Sequence, residues 1–252
     1  MTHQAPGIPR TKDGKPNLFA PAPRTSDGKP DLSGIWVVDP PAPGEIDRLF
    51  GDHPEVALAV PGDDLRTFPK YFVNVLADFK PEEVRVLPEA AARKNGPPAS
   101  PCGPPTIPTL YFIPFPIRLV QTSPVLAILY EAGRTFRQIH TDGRKLPVDP
   151  QPSWLGYSVG RWEGRTLVVE TVGFNDKTPM DITGNPRSES LRLTERFVRR
   201  DFGHMGIEIT IDDPKSYSRP FTIRINETLT PDTELLEYFC TENEKDQAHL
   251  NK

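Results

Sequence analysis

Three glutamates stand in the apolar rows of predicted β-strands, where a charged side chain is unexpected. Side chains alternate between the two faces of a strand, so residues i and i+2 share a side. On this pattern Glu170, Glu195 and Glu227 point inward with apolar neighbours. Those neighbours are Val168, Val172 and Phe174 for the first, Leu191, Leu193 and Phe197 for the second, and Phe221, Ile223, Ile225 and Leu229 for the third. A buried carboxylate must be paired, hydrogen-bonded, protonated or beside a wet cavity.

The chemistry that such residues favour is general acid–base catalysis. Desolvation raises the pKa of a buried glutamate toward neutrality, which makes Glu195 or Glu170 a candidate general base. His140 and Tyr157 would donate or orient a proton. A glutamate paired with a strand arginine such as Arg137 would instead be structural, and the sequence leaves both interpretations open.

Further polar and aromatic residues complete the candidate substrate site. They are Tyr130, Trp154, Asn175, Asp176, Arg187 and Glu227. Asn175 and Arg187 belong to a polar segment, residues 175–189, predicted to form a loop at one mouth of the barrel, where binding groups gather. Arg187 would hold a substrate anion there. The alternatives are a solvated cluster of turns for the loop and a place in the core or at the rim for Trp154.

Composition and spacing argue against several other functions. A formal net charge of -4 with interspersed acids and bases disfavours a nucleic-acid surface. The five histidines show no paired spacing, and the chain has no phosphate-binding glycine loop or membrane-length apolar run. We therefore expect no metal, no cofactor, no nucleic acid and no membrane; a metal bound by His and Glu residues distant in sequence is the alternative. The expected partner is a small hydrophobic or aromatic substrate, and a homodimer stays open.

The element that must position these residues is a hairpin with its turn at Glu163-Gly164, joining strands 157–162 and 166–174. Strands are also predicted near residue 36 and at 117–121, 125–131, 135–141, 191–199, 206–211, 221–229 and 235–240. About ten closely spaced strands without long helices indicate an all-β fold, an antiparallel lipocalin-like β-barrel. A β-sandwich is the alternative.

The predicted organisation is one barrel domain, residues 31–245, with an extended arm before it and a tail at 246–252. The arm, residues 1–30, contains the motif Pro-Arg-Thr-x-Asp-Gly-Lys-Pro twice. Short helices are expected at 55–60 and 81–95, a strand or apolar lid at 68–73, and a Pro-rich strap at 96–109. The beginning of the chain lacks a signal pattern, so we expect a cytoplasmic protein with Cys102 and Cys240 reduced; a disulfide between them is the alternative.

Two resemblances add to this interpretation. Gly34-Ile35-Trp36 resembles the opening of lipocalin-like barrels, in which the Trp plugs one end. A larger set, spanning about Asp31 to Asn243, resembles an uncharacterised bacterial family whose members mostly carry a secretion signal. That set comprises residues 137–144 (RQIHTDGR), 154–164 (WLGYSVGRWEG), 166–171 (TLVVET), 173–176 (GFND), 194–197 (TERF), Asp213-Pro214 with Tyr217, and 236–238 (LEY) with Cys240, Glu242 and Asn243.

The chain departs from that family pattern in the mouth loop. Arg187-Ser188 stands where members have His-Ser, and Pro179-Met180-Asp181 where they have Trp-Leu-Asp. The resemblance therefore implies a shifted specificity. More distantly, the chain resembles lipocalin-like (calycin) enzymes such as phenolic acid decarboxylases, which use Tyr, Arg and Glu in the lumen without a cofactor.

Together these observations predict a cofactor-independent lyase or isomerase that acts on a hydrophobic, aromatic small molecule, such as a lignin-like phenolic, in the barrel cavity. A carbon–carbon lyase is one reaction within this class. The alternatives are a small-molecule binding protein and a structural or interaction module whose inward acids are ion pairs.

Overall fold

The computed structural model describes residues 6–52, 68–94, 104 and 106–237. The strands within these residues are β1 Gly34–Val38, β2 Ile117–Gln121, β3 Val125–Tyr130, β4 Thr135–His140, β5 Tyr157–Glu163, β6 Thr166–Val172, β7 Arg192–Arg199, β8 His204–Asp212 and β9 Phe221–Leu229. The helices there are α1 Glu45–Asp52, α2 Lys70–Val73 and α3 Pro88–Lys94, with 3-10 helices at Thr109–Phe112 and Ala132–Arg134.

The nine described strands form one closed barrel in which each strand pairs with the next and β9 pairs with β1. The prediction of an all-β barrel is confirmed, with nine described strands instead of about ten. The pairing is antiparallel except between β4 and β5, which run parallel and share the pairs Ile139↔Ser158 and His140↔Val159. The prediction of antiparallel pairing throughout the barrel is therefore wrong for β4 and β5. Parallel neighbours need a long crossover, and residues 141–156 supply it.

Alternation sorts the side chains of each strand between core and surface. In β8 the buried residues are Met205, Ile207, Ile209 and Ile211, separated by partly exposed ones. Each such residue contributes roughly 1.5–3 kcal/mol when it leaves water, so these rows fix the strand register. The predicted hairpin forms as expected: Glu163 pairs with Thr166, and Gly164 takes a positive φ of 61° in the turn.

Trp36 lies near one end of the barrel and has no exposed surface. Its indole nitrogen donates to the Leu32 carbonyl at 3.0 Å, and the Arg199 guanidinium lies 4.8 Å above its ring. Arg199 donates to four backbone carbonyls that converge on it, those of Asp31, Ser33, Asp201 and Phe202. The tryptophan of the Gly-x-Trp motif is thus buried near one barrel end, whereas its role as a plug stays a prediction.

The N-terminal arm packs near this same end. In both copies of the repeat a threonine N–H donates to a lysine carbonyl at 2.9 Å, from Thr11 in the first copy and Thr25 in the second. The N–H of Gly203, in the turn between β7 and β8, donates to the Leu18 carbonyl at 2.7 Å. Leu18 lies two residues after the first copy of the motif, so this contact joins the arm to the barrel.

Residues 68–94 pack near the opposite end, where β9 begins. The Phe79 ring contacts the Phe221 ring at 5.4 Å, and the Val75 N–H donates to the Asp181 carboxylate at 2.7 Å. Segment 68–73 contains the short helix α2, so the strand alternative predicted there is wrong, while the apolar-lid alternative stays a prediction. The helix predicted at 81–95 is confirmed in part as α3. None of the helices in the described residues has the length and apolar character needed to cross a membrane.

Some sequence expectations fall on other residues. The helix at 55–60, both cysteines, the tail and most of the strap lie outside the described residues. The strand expected at 235–240 is not formed by its described part, 235–237. Among the described residues that follow Leu229, residues 230–237, no further strand joins the barrel.

Candidate functional site

Glu195 points into the barrel, as predicted, and forms an ion pair with Arg137. Neither side chain is exposed by more than 2%. The guanidinium holds both carboxylate oxygens, with Nη1 to Oε1 at 2.8 Å and Nη2 to Oε2 as the second contact. It also donates to the hydroxyls of Ser158 at 3.0 Å, Tyr111 at 2.7 Å and Thr171 at 2.7 Å. All five guanidinium N–H groups are therefore used.

This arrangement fixes the charge state of Arg137. Burial is the largest single effect and lowers its pKa, but the charge and hydrogen bond of Glu195, with smaller contributions from Tyr111 and Tyr130, together hold the pKa well above the usual value. Thr171 adds a hydrogen bond to Oε2 at 3.4 Å. A carboxylate whose oxygens accept from a bidentate guanidinium and a hydroxyl is poorly placed to take a proton, which weakens the prediction of Glu195 as the base.

Tyr130, a predicted substrate-binding residue, also lies inside the barrel, next to this cluster. Its ring meets the Tyr111 ring edge-on at 6.3 Å. The Tyr130 hydroxyl is buried and lacks a partner with hydrogen-bonding geometry, although Tyr111 and Arg137 are its neighbours. Burial raises the pKa of Tyr130 to about 12, so it stays a phenol at neutral pH.

Sequence reasoning named Arg137 and Tyr130 as partners for the acids but missed three hydroxyls in this cluster. Ser158 and Thr171 face each other across β5 and β6, with their oxygens 3.1 Å apart. Alternation along those strands offered a signal, since polar side chains occupy inward positions there. Tyr111 lies on a 3-10 helix outside any strand, so no strand pattern pointed to it.

Glu227 is the second acid that the alternation correctly turned inward, with 1% exposure. Its Oε2 atom is buried and has no hydrogen-bond partner. Desolvation, with a smaller contribution from the Asp39 charge, raises the pKa of Glu227 to about 8. The carboxyl is therefore mostly protonated at neutral pH.

The inward orientation predicted for Glu170 is wrong. The inner face of β6 carries Val169 and Thr171, while Glu170 is 37% exposed and bonds Arg161 at 3.2 Å on the outer face. The prediction failed because outward-facing Val168 is itself buried, and Phe174 lies beyond the strand. Glu170 therefore does not join Glu195 in the lumen.

His140 and Tyr157 are brought together, but on the outer wall. Their ring centroids are 5.3 Å apart. The His140 Nδ1 atom is buried and has no hydrogen-bond partner. Desolvation, and then the Arg144 charge, lower the pKa of His140 against a smaller opposing effect of Asp142, so the ring is neutral at neutral pH. The predicted constellation of Glu195, His140 and Tyr157 around one cavity is thus divided between the two faces of the barrel wall.

A cleft of about 210 Å³ opens at the junction of β4 and β5, which we call the seam cleft. Its lining residues are Phe136, Arg137, Gln138, His140, Leu155, Gly156, Tyr157 and Ser158. It forms there because β4 and β5 share two residue pairs, against five or more for neighbouring pairs such as β5 with β6. Arg137 and Ser158 belong both to the cleft lining and to the lumen cluster, so the seam connects the two halves of the predicted site.

The loop at residues 175–189 is packed instead of solvated. Arg187 is 2% exposed and Asn175 6% exposed, while Asp176 is exposed. Arg187 donates to the Asn175 Oδ1 atom at 3.0 Å and to the Thr106 hydroxyl. Trp154 is partly buried, with the Lys177 ammonium 5.8 Å from its ring. The alternative of a solvated turn cluster is therefore wrong for most of this loop.

The described residues contain no group of three or more His, Cys, Asp or Glu side chains arranged to hold a metal ion. The expectation of metal- and cofactor-independent chemistry stays a prediction.

No family model matches the chain, and neither the curated proteins nor the solved structures searched contain a match to it.

Proposed function

We propose that the protein is a cofactor-independent lyase or isomerase that carries out general acid–base chemistry on a single-ring aromatic molecule in the seam cleft. The observation that carries the proposal is the buried, unpartnered Nδ1 of His140 beside the Tyr157 ring, in a cleft whose lining also includes Phe136 and Leu155. A concave site with a few converging polar groups and a perturbed pKa is the usual form of a small-molecule site.

The size and lining of the cleft favour a small aromatic substrate. Its volume of about 210 Å³ lies below the ~300–1,000 Å³ typical of pockets for drug-sized ligands, so one ring with short substituents fits best. Phe136 and Leu155 provide apolar surface, and Phe136 is 60% exposed. An aromatic ligand stacked on Phe136 would cover that ring.

His140 is the residue best suited to move a proton. Its lowered pKa keeps the imidazole neutral at neutral pH, so one ring nitrogen is free to accept. The Tyr157 hydroxyl oxygen accepts from Arg144 at 3.2 Å, which leaves the phenolic proton for a substrate oxygen. His140 as base and Tyr157 as donor replace the earlier prediction of Glu195 or Glu170 as base.

Arg137 and Glu195 would act as positioning residues. Arg137 contacts the cleft, and its guanidinium is held by Glu195 and by Ser158 on the opposite strand. This cluster therefore fixes the spacing of β4 and β5 on either side of the cleft. Holding reacting groups in place contributes to catalysis without any proton transfer by the holding residue.

A small-molecule carrier is the second candidate. The unpartnered hydroxyl of Tyr130 and the unpartnered Oε2 of Glu227 favour a molecule bound inside the barrel, because buried polar atoms are normally satisfied. A structural module is favoured instead by the complete satisfaction of Arg137.

The deciding experiment compares His140→Gln with His204→Gln. His204 is a partly exposed histidine that pairs with Asp201 at 2.7 Å, so its replacement controls for loss of an imidazole. Simple phenolics such as 4-hydroxycinnamate and 4-hydroxybenzaldehyde are assayed for turnover by mass spectrometry and for affinity by calorimetry. We expect His140→Gln to lower kcat by about 10²–10⁴-fold with affinity retained, and His204→Gln to leave both unchanged. Equal turnover in the two variants would refute the assignment; binding without turnover in the wild type would favour the carrier.

A further inference from the structure

Three described arginines are almost entirely buried, and their hydrogen bonding differs. Arg137 donates five hydrogen bonds and faces the Glu195 carboxylate. Arg199 donates four hydrogen bonds to backbone carbonyls and stacks on Trp36. Arg187 donates two, to neutral side-chain oxygens. A guanidinium has five N–H donors, so Arg187 is the least satisfied of the three.

The surroundings of Arg187 leave one N–H of its guanidinium without an acceptor. Nη1 donates to the Thr106 hydroxyl and Nη2 to the Asn175 amide oxygen, whereas Nε is buried and has no partner. The Phe174 ring lies 5.9 Å away and offers only its π-face. The Nε edge of a guanidinium is one that binds the two oxygens of a carboxylate side by side.

The described residues also place no carboxylate on Arg187. The nearest acidic influence is Asp176, whose side chain is exposed and makes no recorded hydrogen bond to it. Burial lowers the pKa of Arg187 to about 10, which still leaves it charged at neutral pH. A buried charge without a counter-charge is strongly unfavourable, and a buried N–H without an acceptor adds to that.

We propose that Arg187 holds a small carboxylate-type anion as an internal ligand, bound at its Nε edge. We expect a small anion because Arg187 is only 2% exposed. We expect a planar anion with two oxygens because such a group accepts two parallel hydrogen bonds from a guanidinium. Arg187 is not among the residues that line the seam cleft, so this site does not depend on the proposed function.

The test introduces the missing charge covalently. Asn175→Asp replaces a neutral amide with an isosteric carboxylate whose oxygen lies 3.0 Å from Nη2, so it should fold and supply the counter-charge. Asn17→Asp is the matched control, because the second copy of the repeat already has Asp31 at the equivalent position. Melting temperatures of wild type and both variants are measured in sodium formate, acetate and chloride at constant ionic strength.

We expect formate or acetate to raise the melting temperature of the wild type and of Asn17→Asp by about 2–4 °C or more relative to chloride. Asn175→Asp should melt higher without added carboxylate and respond to neither anion. General salt effects cancel in the comparison among the three proteins. A wild type that does not distinguish the anions, or an Asn175→Asp variant that responds like the wild type, would overturn the proposal.

A second measurement tests the proposal if Asn175→Asp does not fold. The ¹³C signal of labelled formate should broaden in the presence of the wild-type protein and sharpen when unlabelled acetate competes. Arg187→Lys, which keeps the charge but loses the two-donor edge, should reduce that broadening. Broadening of equal size in wild type and Arg187→Lys would place the anion elsewhere and refute the assignment.

Discussion

Replacing Glu227 by Gln should make the protein more stable at alkaline pH. The folded protein raises the pKa of this carboxyl from 4.5 to about 8. Between those two pKa values the folded state holds a proton that the unfolded state has released, so stability falls as pH rises through this window. One pKa unit corresponds to about 1.36 kcal/mol, which gives an upper limit of roughly 5 kcal/mol lost by pH 8 and above. Relaxation and water entry reduce this figure.

The assay is urea unfolding of wild type and Glu227→Gln at pH 5.0, 7.0 and 8.5. We expect nearly equal unfolding free energies at pH 5.0, where the wild-type side chain is already neutral in the folded state. At pH 8.5 the free energy of unfolding of the variant should exceed that of the wild type by up to several kcal/mol, because the amide cannot ionise. Linear extrapolation to zero urea suffices if the free energy of unfolding falls with urea concentration at the same slope in both proteins.

Glu170→Gln is the control for this prediction. Its side chain lies on the outer wall and is 37% exposed, so this variant leaves Glu227 in place and should keep the loss of stability that Glu227 causes at alkaline pH. Parallel profiles for Glu227→Gln and wild type would show that Glu227 is ionised in the folded state, and the reasoning from its burial would fail.

Three further predictions follow from the same geometry. Glu195→Gln should lower the unfolding free energy by about 3–5 kcal/mol in chemical denaturation, because it leaves the Arg137 charge buried and uncompensated; a change below 1 kcal/mol would contradict this. If His140 is the base, the acid limb of kcat/KM should lie below pH ~6.5, since its pKa is lowered, and a limb at or above pH 7 would exclude it. Gly156→Ala should destabilise the fold by several kcal/mol, because the φ of Gly156 is 68° and an added Cβ would lie 2.7 Å from Thr171 Cγ2. Gly164→Ala should cost only about 1 kcal/mol, because Gly164, with a φ of 61°, has open space where the Cβ would be placed. Equal melting temperatures of the two variants would contradict this contrast.

Much of the barrel could be predicted from the sequence because alternation and turn chemistry are local. Strands β2 and β9 begin and end at the predicted residues, and the Glu163-Gly164 turn forms as expected. The parallel pairing of β4 with β5 could not be predicted, since the crossover of residues 141–156 has no pattern that reports its direction. Segment 68–73 was ambiguous for a similar reason, because a single helical turn and a short strand have similar apolar content.

The candidate site was less predictable than the strands that carry it. Alternation assigned Glu227 correctly because its row is otherwise apolar, and it assigned Glu195 correctly because Leu193 and Phe197 flank it on the same face. It failed for Glu170, where the inner row contains a polar residue, Thr171, and an outward residue, Val168, is buried by its neighbours. The prediction from periodicity assumes that the apolar row of a strand is its inward row. This assumption fails where inward-facing residues of the barrel are polar.

The buried ionisable side chains decide how the interior of this protein is to be understood. A barrel that served only as a packed core would gain from apolar residues at these positions, since satisfied buried ion pairs are seldom more stabilising than well-packed hydrophobic side chains. Arg137 and Glu195 satisfy each other, so they alone are compatible with a structural role. Glu227 and Arg187 are not satisfied, and each retains a buried polar atom without a partner. Because one lies on β9 and the other in the loop at 175–189, a single structural ion pair does not account for both, whereas ligand binding and proton-linked chemistry give each a role.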